Sequence, residues 1–343
     1  MGNACEVVIE AKDLWRSFRS PVKRAGGPIN TPSAIMNFIY RKLRGQRERV
    51  TYALRGITFT VRRSDFVLLV GPNGSGKTTL LKILAGILPY TRGQLRVLGD
   101  DPYSSRSHLR EVRRRVSLIP NVMLGNVFFD PALSVEENLT VACELLRLSP
   151  KRALEMARLL ELERYLSRRF GALSTGLAAR AILALHLAKE AEIYLFDEPA
   201  VALSPEGRAS FKGLLRKLRE EGRTVIYATH YPSELVELFD KVLVLQGGRL
   251  VFYGALEDFT DMVFKGKDVC VEITLRGGFS ESQLARGGFE VIGGKARAYC
   301  SSAEAFRLLR RAVAVLREEH VRDVRVIPRS FEEAYRIYVG AAT

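Results

Sequence analysis

The sequence predicts an α/β protein in which a large domain of alternating strands and helices precedes a small α+β domain. Short apolar runs suited to buried parallel strands occur at Phe66 to Val70, Ile193 to Phe196 and Val242 to Leu245. The alternation of strands and helices ends near Lys265, and a new pattern begins there. A chain of 343 residues is long enough to form two hydrophobic cores. No apolar segment approaches the roughly 20 residues that span a bilayer.

The composition is that of an ordinary globular protein, with 47% hydrophobic and 27% charged residues. The net charge of +15 fits nucleic acid, an anionic membrane surface or an Arg-rich thermophile-like surface as its cause. Basic residues are spread along the chain, so the net charge alone does not distinguish among these three causes. Met1 to Glu10 lacks the basic stretch of a secretory signal. The four cysteines lie far apart, which argues against a CxxC metal or redox site and fits a reducing cytoplasm: Cys5, Cys143, Cys270, Cys300.

We expect a large domain over residues 1–264 and a small one over 268–343. From Tyr52 to about Phe264 strands and helices alternate as in a doubly wound domain, after an interruption over residues 21–50. The small domain is predicted to run strand, helix, two short strands, helix, strand, helix. Its clearest elements are the strands Val269 to Thr274 and Val321 to Ile327 and the helix Ala303 to Glu319.

A phosphate-binding loop lies between the strand ending at Val70 and a helical pattern beginning at Leu80. It has the form GxxxxGKT in its required strand–loop–helix setting: Gly71, Pro72, Asn73, Gly74, Ser75, Gly76, Lys77, Thr78, Thr79. The glycines let several backbone N–H groups face one concavity, which the helix N-terminus completes as an anion site. Lys77 reaches the β- and γ-phosphates, and the Thr78 hydroxyl is offered to Mg²⁺. The loop predicts MgATP binding.

Two further strands end in polar side chains. The strand ending at Phe196 continues into Asp197 and Glu198, beside the crevice where nucleotides bind in such sheets. We expect Asp197 to hold Mg²⁺ through water and Glu198 to polarise the attacking water. The alternative is a solvated acidic turn. His230 ends the strand that begins at Val225, and its place favours a γ-phosphate contact.

Between these acids and the loop lies Leu173-Ser174-Thr175-Gly176-Leu177, followed by Arg180. With the motifs in this order over roughly residues 6–260, the chain resembles the ATP-binding subunits of ABC transporters, whose signature is LSGGQ. The resemblance implies a P-loop NTPase domain of the ABC type, with a mixed sheet and a helical subdomain at about 104–185. It also implies a head-to-tail dimer, formed with a second copy or a paralogue. There Ser174 and Gly176 cap the γ-phosphate held by the other subunit.

The same resemblance implies a separate transmembrane permease subunit, and hence a peripheral location at the cytoplasmic face of the cell membrane. Two positions depart from the family's pattern. Asn121 stands where Gln is usual and keeps the amide that contacts Mg²⁺ or the attacking water, on a shorter side chain. Ser204 stands where Asp is usual. It is a favourable N-cap for a helix whose first residue is Pro205. The lysine, both acids and the histidine are present, so we predict ATP hydrolysis at a rate that these two positions can lower.

The family stacks adenine on an aromatic residue at the end of its first strand. Phe18 fits this role best, Tyr52 is the alternative, and a core position for either stays open.

Residues 21–50 and the tail point to a subtype. In the insert, an amphipathic helix beginning near Ser33 is expected to touch the membrane subunit or lipid headgroups, or else to pack on the protein's own surface. Polysaccharide and ABC-2 exporters resemble this arrangement. The tail Pro328 to Gly340 is similar to the PSLEDVFLxLTG ending of multidrug-type ABC-2 exporter ATPases. Both features favour an exporter.

Two other classes of ATPase remain as alternatives. One acts on nucleic acid, but the stretch from Thr79 to Ile193 has no room for the coiled coil of DNA-repair members. A single phosphate loop also differs from the two in translation-factor members. Nucleic acid is therefore not the expected partner. The other class is a weakly hydrolysing regulatory subunit, which Asn121 and Ser204 suggest.

Overall fold

The computed structural model describes residues 6–21, 48–121, 129–230, 235–267, 269–276, 281–316 and 320–340. The chain forms two compact units, Met1–Tyr253 and Gly254–Thr343. Within the described ranges, no helix combines the length and apolarity needed to cross a bilayer. The helix predicted inside the 21–50 insert falls outside the described residues.

The first unit is built on two sheets. Its strands are β1 (Val7–Pro21), β2 (Glu48–Arg62), β3 (Phe66–Val70), β4 (Arg92–Val97), β5 (Val116–Ile119), β6 (Ile193–Asp197), β7 (Thr224–Thr229), β8 (Lys241–Gln246) and β9 (Arg249–Ala255). Its helices are α1 (Lys77–Leu84), α2 (Arg106–Arg115), α3 (Val135–Leu146), α4 (Pro150–Leu159), α5 (Thr175–Leu187) and α6 (Pro205–Glu220).

The central sheet has the strand order β5-β6-β7-β3-β8-β9, and the pairs from β5 through β8 are parallel. Strands β3, β6 and β7 are buried along their whole length, as their continuous apolar runs predict. Their carboxyl ends meet at one edge, where Val70 pairs with Thr229 and Asp197 with Ala228. This edge positions the residues of the candidate site.

The second sheet is antiparallel, in the order β2-β1-β4. The doubly wound pattern predicted from Tyr52 onward is therefore incomplete, because β2 and β4 belong to this separate sheet. On β2, the buried Phe59 and Val61 flank the partly buried Thr60, the alternation of a strand with one face in the core. The mixed α/β architecture implied by the resemblance is confirmed.

Helices α3, α4 and α5 lie between β5 and β6 in sequence and pack on one another. Helix α3 begins with a capping box, in which the Ser134 hydroxyl accepts from the Glu137 N–H and the Glu137 carboxylate accepts from the Ser134 N–H. Ser174 caps α5 and Ser204 caps α6, as the sequence predicted for Ser204. These caps fix where the segment before α5 and the loop after β6 end and where the two helices begin.

The second unit contains α7 (Leu256–Phe264), β10 (Val269–Leu275), α8 (Glu281–Arg286), β11 (Glu290–Ile292), β12 (Lys295–Cys300), α9 (Ser302–Val315), β13 (Val321–Pro328) and α10 (Phe331–Gly340). From β10 onward, the predicted order of elements is confirmed. The sheet is antiparallel with the strand order β11-β12-β10-β13, and β10 to β13 form a β-α-β-β-α-β unit of the ferredoxin-like kind.

The core of the second unit lies between this sheet and its helices, and includes Val271, Ile273, Ala298 and Ala305. Helix α9 was predicted to reach Glu319 but ends at Val315, because Leu316 turns to extended backbone and is buried in the core. Helices α7 and α10 contact each other through the rings of Phe259 and Phe331.

Candidate active site

The phosphate-binding loop joins β3 to α1 and lines a cleft of about 260 Å³. Two of its glycines are required by space. A Cβ at Gly71 would lie 2.3 Å from the Leu245 carbonyl oxygen, and one at Gly76 would lie 2.5 Å from the Ala53 carbonyl oxygen. Gly76 also has a φ of 106°, a conformation that other residues rarely adopt. The loop therefore keeps its curl only with glycine at these positions.

Lys77 is the first residue of α1 and is almost fully buried at the cleft. Its ammonium donates to the carbonyl oxygens of Gly71, at 2.7 Å, and Pro72, at 3.2 Å. Burial lowers the pKa of Lys77, while Glu198, 3.8 Å away, and Asp197 act in the opposite direction. A phosphate, being anionic, would be a stronger hydrogen-bond partner for this ammonium than the two neutral carbonyls.

Ser75 provides a direct test of whether a polar ligand fits the cleft. Its hydroxyl is buried and has no hydrogen-bond partner among the described residues, although the residue lines the cleft. A buried hydroxyl without a partner costs about 1–3 kcal/mol. A ligand with acceptor oxygens, such as a phosphate, would remove that cost, so the loop fits the group that its sequence predicts.

Asp197 and Glu198 stand at the carboxyl end of β6. Burial raises the pKa of Asp197, and a hydrogen bond from Thr78 partly offsets that effect. Among the described residues, no group of three or more His, Cys, Asp or Glu side chains forms a metal site. One hydroxyl and one carboxylate beside a phosphate site suit Mg²⁺, which is usually bound through few protein ligands together with substrate phosphates.

Glu198 is held in an uncommon backbone conformation, with a φ of 53°. Its N–H donates to the Ala228 carbonyl on the neighbouring strand β7. Its carboxylate lies 2.8 Å from the Nδ1 atom of His230, which directly follows β7. The two side chains predicted at separate strand ends thus meet at the cleft. Asn121, which follows β5 after Pro120, lines the same cleft.

Three predicted residues lie away from this cleft. Phe18 is 39% exposed on β1 and pairs with Thr51, two residues before Ala53, which lines the cleft. Ser174 accepts a hydrogen bond from the Leu177 N–H at the start of α5, and Gly176 lies in the first turn of that helix. Their positions do not test their predicted roles.

Sequence reasoning missed two features of the site. Ala53 closes one side of the cleft through its backbone, and nothing in its residue type indicates this. Arg180 is buried, and its guanidinium donates to the Ser204 hydroxyl at 2.9 Å and to the Leu160 carbonyl at 3.3 Å. It thereby links α5 to the loop after β6. An arginine in a largely apolar helix is the available signal.

Comparisons with known proteins agree with this geometry. The family model described as ABC transporter matches residues 54–201. The Nod factor export ATP-binding protein I of Burkholderia lata is 34% identical over 206 residues, which cover 59% of this chain and 66% of that protein. The energy-coupling factor transporter ATP-binding protein EcfA of Methanoculleus marisnigri is 32% identical over 212 residues, which cover 60% of this chain and 75% of that protein.

Among solved structures, a dimeric post-hydrolysis state of the ATP-binding cassette MJ0796 bound to ADP and Pi has a TM-score of 0.55 at 23% identity. The match covers 72% of this chain and 98% of that one. At that identity the likeness shows the fold alone. Together with the ordered motifs and the sequence matches, it establishes that this chain belongs to the family of ABC transporter ATP-binding proteins.

Proposed function

We propose that this chain binds MgATP in the cleft and hydrolyses it. The observation that supports hydrolysis most directly is the 2.8 Å contact between the Glu198 carboxylate and His230, beside the phosphate-binding loop. A carboxylate oriented by a second group, within reach of the bound phosphate, is what a water-activating base requires.

The phosphate loop and the polar side chains around it have separate parts in this proposal. The loop N–H groups and Lys77 hold the phosphates, and Thr78 and Asp197 hold Mg²⁺ with help from Asn121. Bound there, Mg²⁺ would supply positive charge that offsets the charge of the phosphates. Glu198 accepts a proton from the attacking water, and His230 orients Glu198.

The test is ATP turnover by the purified chain carrying Glu198→Gln. We expect turnover to fall by about 10²- to 10⁴-fold, the usual contribution of a general base, while nucleotide affinity is kept. Glu220→Gln on the exposed end of α6 is the matched control and should hydrolyse at the normal rate. Wild-type turnover by the Glu198→Gln chain would show that this glutamate is not the base.

The proposal includes a nucleotide site that two subunits form together. Ser174 and Gly176 lie outside the chain's own cleft, at the N-terminus of α5, where N–H groups favour an anion. A second nucleotide-binding subunit, either another copy or a paralogue, would bring them to the γ-phosphate of its neighbour. In the Glu198→Gln background, ATP should therefore produce a dimer, and Ser174→Arg should prevent it.

We further propose an exporter of the ABC-2 type that drives a separate transmembrane subunit from the cytoplasmic face of the membrane. Support comes from the relative named for Nod factor export and from the tail resemblance over residues 328–340. Co-purification with a six-helix membrane protein, without a binding protein, would support export. Salt-dependent binding of DNA or RNA that stimulates turnover would contradict the transport role.

A further inference from the structure

The ribbon formed by β1 and β2 carries two arginine–aromatic pairs beside Ala53, which lines the cleft. On β1, the Arg16 Cζ atom lies 4.5 Å from the centroid of the Phe18 ring. On β2, the Arg55 Cζ atom lies 5.8 Å from the centroid of the Tyr52 ring. Phe18 and Tyr52 are both exposed, and they are the two candidates for stacking on a nucleotide base. The face of the ribbon on which each ring lies separates the two candidates.

The register of the ribbon places Phe18 on the face that meets the phosphate loop. Arg16 pairs with Leu54. The Leu54 side chain approaches the loop so closely that a Cβ at Gly76 would lie 2.8 Å from it. Paired residues share a face of an antiparallel ribbon, and so do residues two apart on one strand. Arg16 and Phe18 therefore lie on the same face as Leu54.

Tyr52 lies on the other face of the ribbon. It pairs with Ser17, which alternates with Arg16 and Phe18 along β1. Its ring meets that of Trp15 edge to face, with 5.9 Å between the centroids. Phe18 rather than Tyr52 is thus on the side of the ribbon where a nucleotide bound to the phosphate loop would lie.

Arg16 is anchored on the turn that follows α1. Its Nη1 atom donates to the Pro89 carbonyl at 2.8 Å. This turn is itself held from outside, because the Tyr103 hydroxyl lies 2.8 Å from the Ile83 carbonyl oxygen and 2.6 Å from the Leu88 carbonyl oxygen. The guanidinium is therefore fixed against the aromatic ring by a contact that does not involve the ring.

Phe18 requires such support because its ring has no polar atom that a hydrogen bond could hold. An exposed side chain that is ordered only when a ligand binds lowers the affinity for that ligand. A guanidinium over the ring stabilises one orientation of the ring through a cation–π contact. It also covers one face of the ring, so a base would stack on the opposite face.

We propose that Arg16 is a positioning residue for the nucleotide base, which holds the Phe18 ring in the orientation that stacks on adenine. The proposal rests on the nucleotide binding of the proposed function. It concerns the base alone, since Arg16 lies outside the cleft that receives the phosphates. The competing view is that Arg16 serves only the turn after α1. Because α1 begins at the phosphate loop, that role would affect phosphate binding as well.

The experiment compares two probes by titration calorimetry on the full chain: MgADP, which has a base, and magnesium pyrophosphate, which has none. The unaltered protein should bind MgADP more tightly. Arg16→Met keeps an unbranched apolar stem but removes the charge and the hydrogen-bond donors. It should weaken MgADP binding by about 3- to 10-fold, the cost of ordering one side chain on binding. Its binding of pyrophosphate should equal that of the unaltered protein, which also shows that the variant is folded.

A double-mutant cycle tests whether Arg16 acts through Phe18. Phe18→Ala alone should weaken MgADP binding by about 5- to 100-fold, the usual contribution of one base stacked on an aromatic ring. Adding Arg16→Met to Phe18→Ala should then have no further effect. Arg55→Met, which removes the cation beside Tyr52, is the matched control and should bind both probes like the unaltered protein.

Equal weakening of both probes by Arg16→Met would show that Arg16 serves only the turn, and would overturn the proposal. So would a full effect of Arg16→Met in the Phe18→Ala chain, or an effect confined to Arg55→Met, which would make Tyr52 the stacking residue. If the unaltered chain bound pyrophosphate as tightly as MgADP, this inference alone would fail. Failure of the proposed function differs from these results, because the unaltered chain would then bind neither probe.

Discussion

Arg180 is a buried cation whose hydrogen-bond partners are mostly neutral. Its guanidinium donates to the Ser204 hydroxyl and the Leu160 carbonyl, and its Nε atom has no hydrogen-bond partner in the described chain. The carboxylate of Glu161 is 3.8 Å away, on a side chain that is 64% exposed. Burying a charge without a close counter-charge is costly. The usual acid at position 204 would provide that counter-charge, and this chain lacks it.

Ser204→Asp should therefore stabilise the protein. Aspartate keeps the cap of α6, since Asp and Ser are comparable N-cap residues, and it turns a neutral hydrogen bond to Arg180 into a charge-assisted one. We expect a gain of about 1 kcal/mol, or about 2–4 °C in Tm for a domain of this size, measured by calorimetry. Ser105→Asp, at the N-cap of α2, is the control and should change Tm little. Equal shifts for both variants would mean that capping, not the charge of Arg180, is responsible.

The sequence identified the residues of the cleft whose place follows from a strand end. Asp197, Glu198 and His230 could be predicted because parallel strands deliver their carboxyl ends to one edge. The role of Ala53 and the partner of Arg180 could not, because each depends on a contact between segments brought together only by tertiary packing.

At the scale of elements, the phosphate loop holds its shape through close backbone approaches. Gly71→Ala would place a Cβ 2.3 Å from the Leu245 carbonyl oxygen and 2.5 Å from the Ser75 hydroxyl, so β8 or the loop must move. We expect a loss of about 1–3 kcal/mol in the free energy of unfolding and loss of nucleotide binding, measured by denaturation and by fluorescent-nucleotide titration.

The matched change is Gly213→Ala in the interior of α6, where an added Cβ meets nothing within 4 Å. It should stabilise the chain by about 0.5–1 kcal/mol and leave nucleotide binding intact. If Gly71→Ala bound nucleotide normally, the close approach to Leu245 would not be what shapes the loop.

The elements themselves were predictable to different degrees. The uniformly apolar runs predicted the bounds of β3 and β6 almost to the residue, because strands buried on both faces are apolar along nearly their whole length. The assignment of β2 and β4 to a separate sheet and the end of α9 at Val315 were missed. Strand partners and the turn of Leu316 into the core are set by tertiary contacts rather than by local spacing.

On the scale of the whole molecule, each unit has its own core and its own carboxylate held by two basic side chains. In the first unit, Glu192 accepts hydrogen bonds from Arg115 at 2.5 and 2.8 Å and from Arg63 at 3.2 Å. In the second, Glu272 accepts from Lys295 at 2.8 Å and from Arg297 at 2.7 Å. The hydrogen bond from Arg115 keeps the pKa of Glu192 below its ordinary value, and that from Lys295 does the same for the pKa of Glu272.

These two carboxylates predict how acid acts on each unit. A folded-state pKa below the unfolded value of about 4.5 means that the stabilisation is fully present above that pH and is lost as the pH falls through the folded-state value. At pH 7, Glu272→Gln should cost about 1 kcal/mol and speed hydrogen exchange, by about fivefold, in peptides from β10, β12 and β13. Glu192→Gln should do so in peptides from β5 and β6 instead. Each variant's difference in Tm from the unaltered chain should shrink as the pH falls from 5 towards 3, because the unaltered carboxylate then becomes protonated too. If either variant accelerated exchange equally in both units, the two cores would not hold their stability separately.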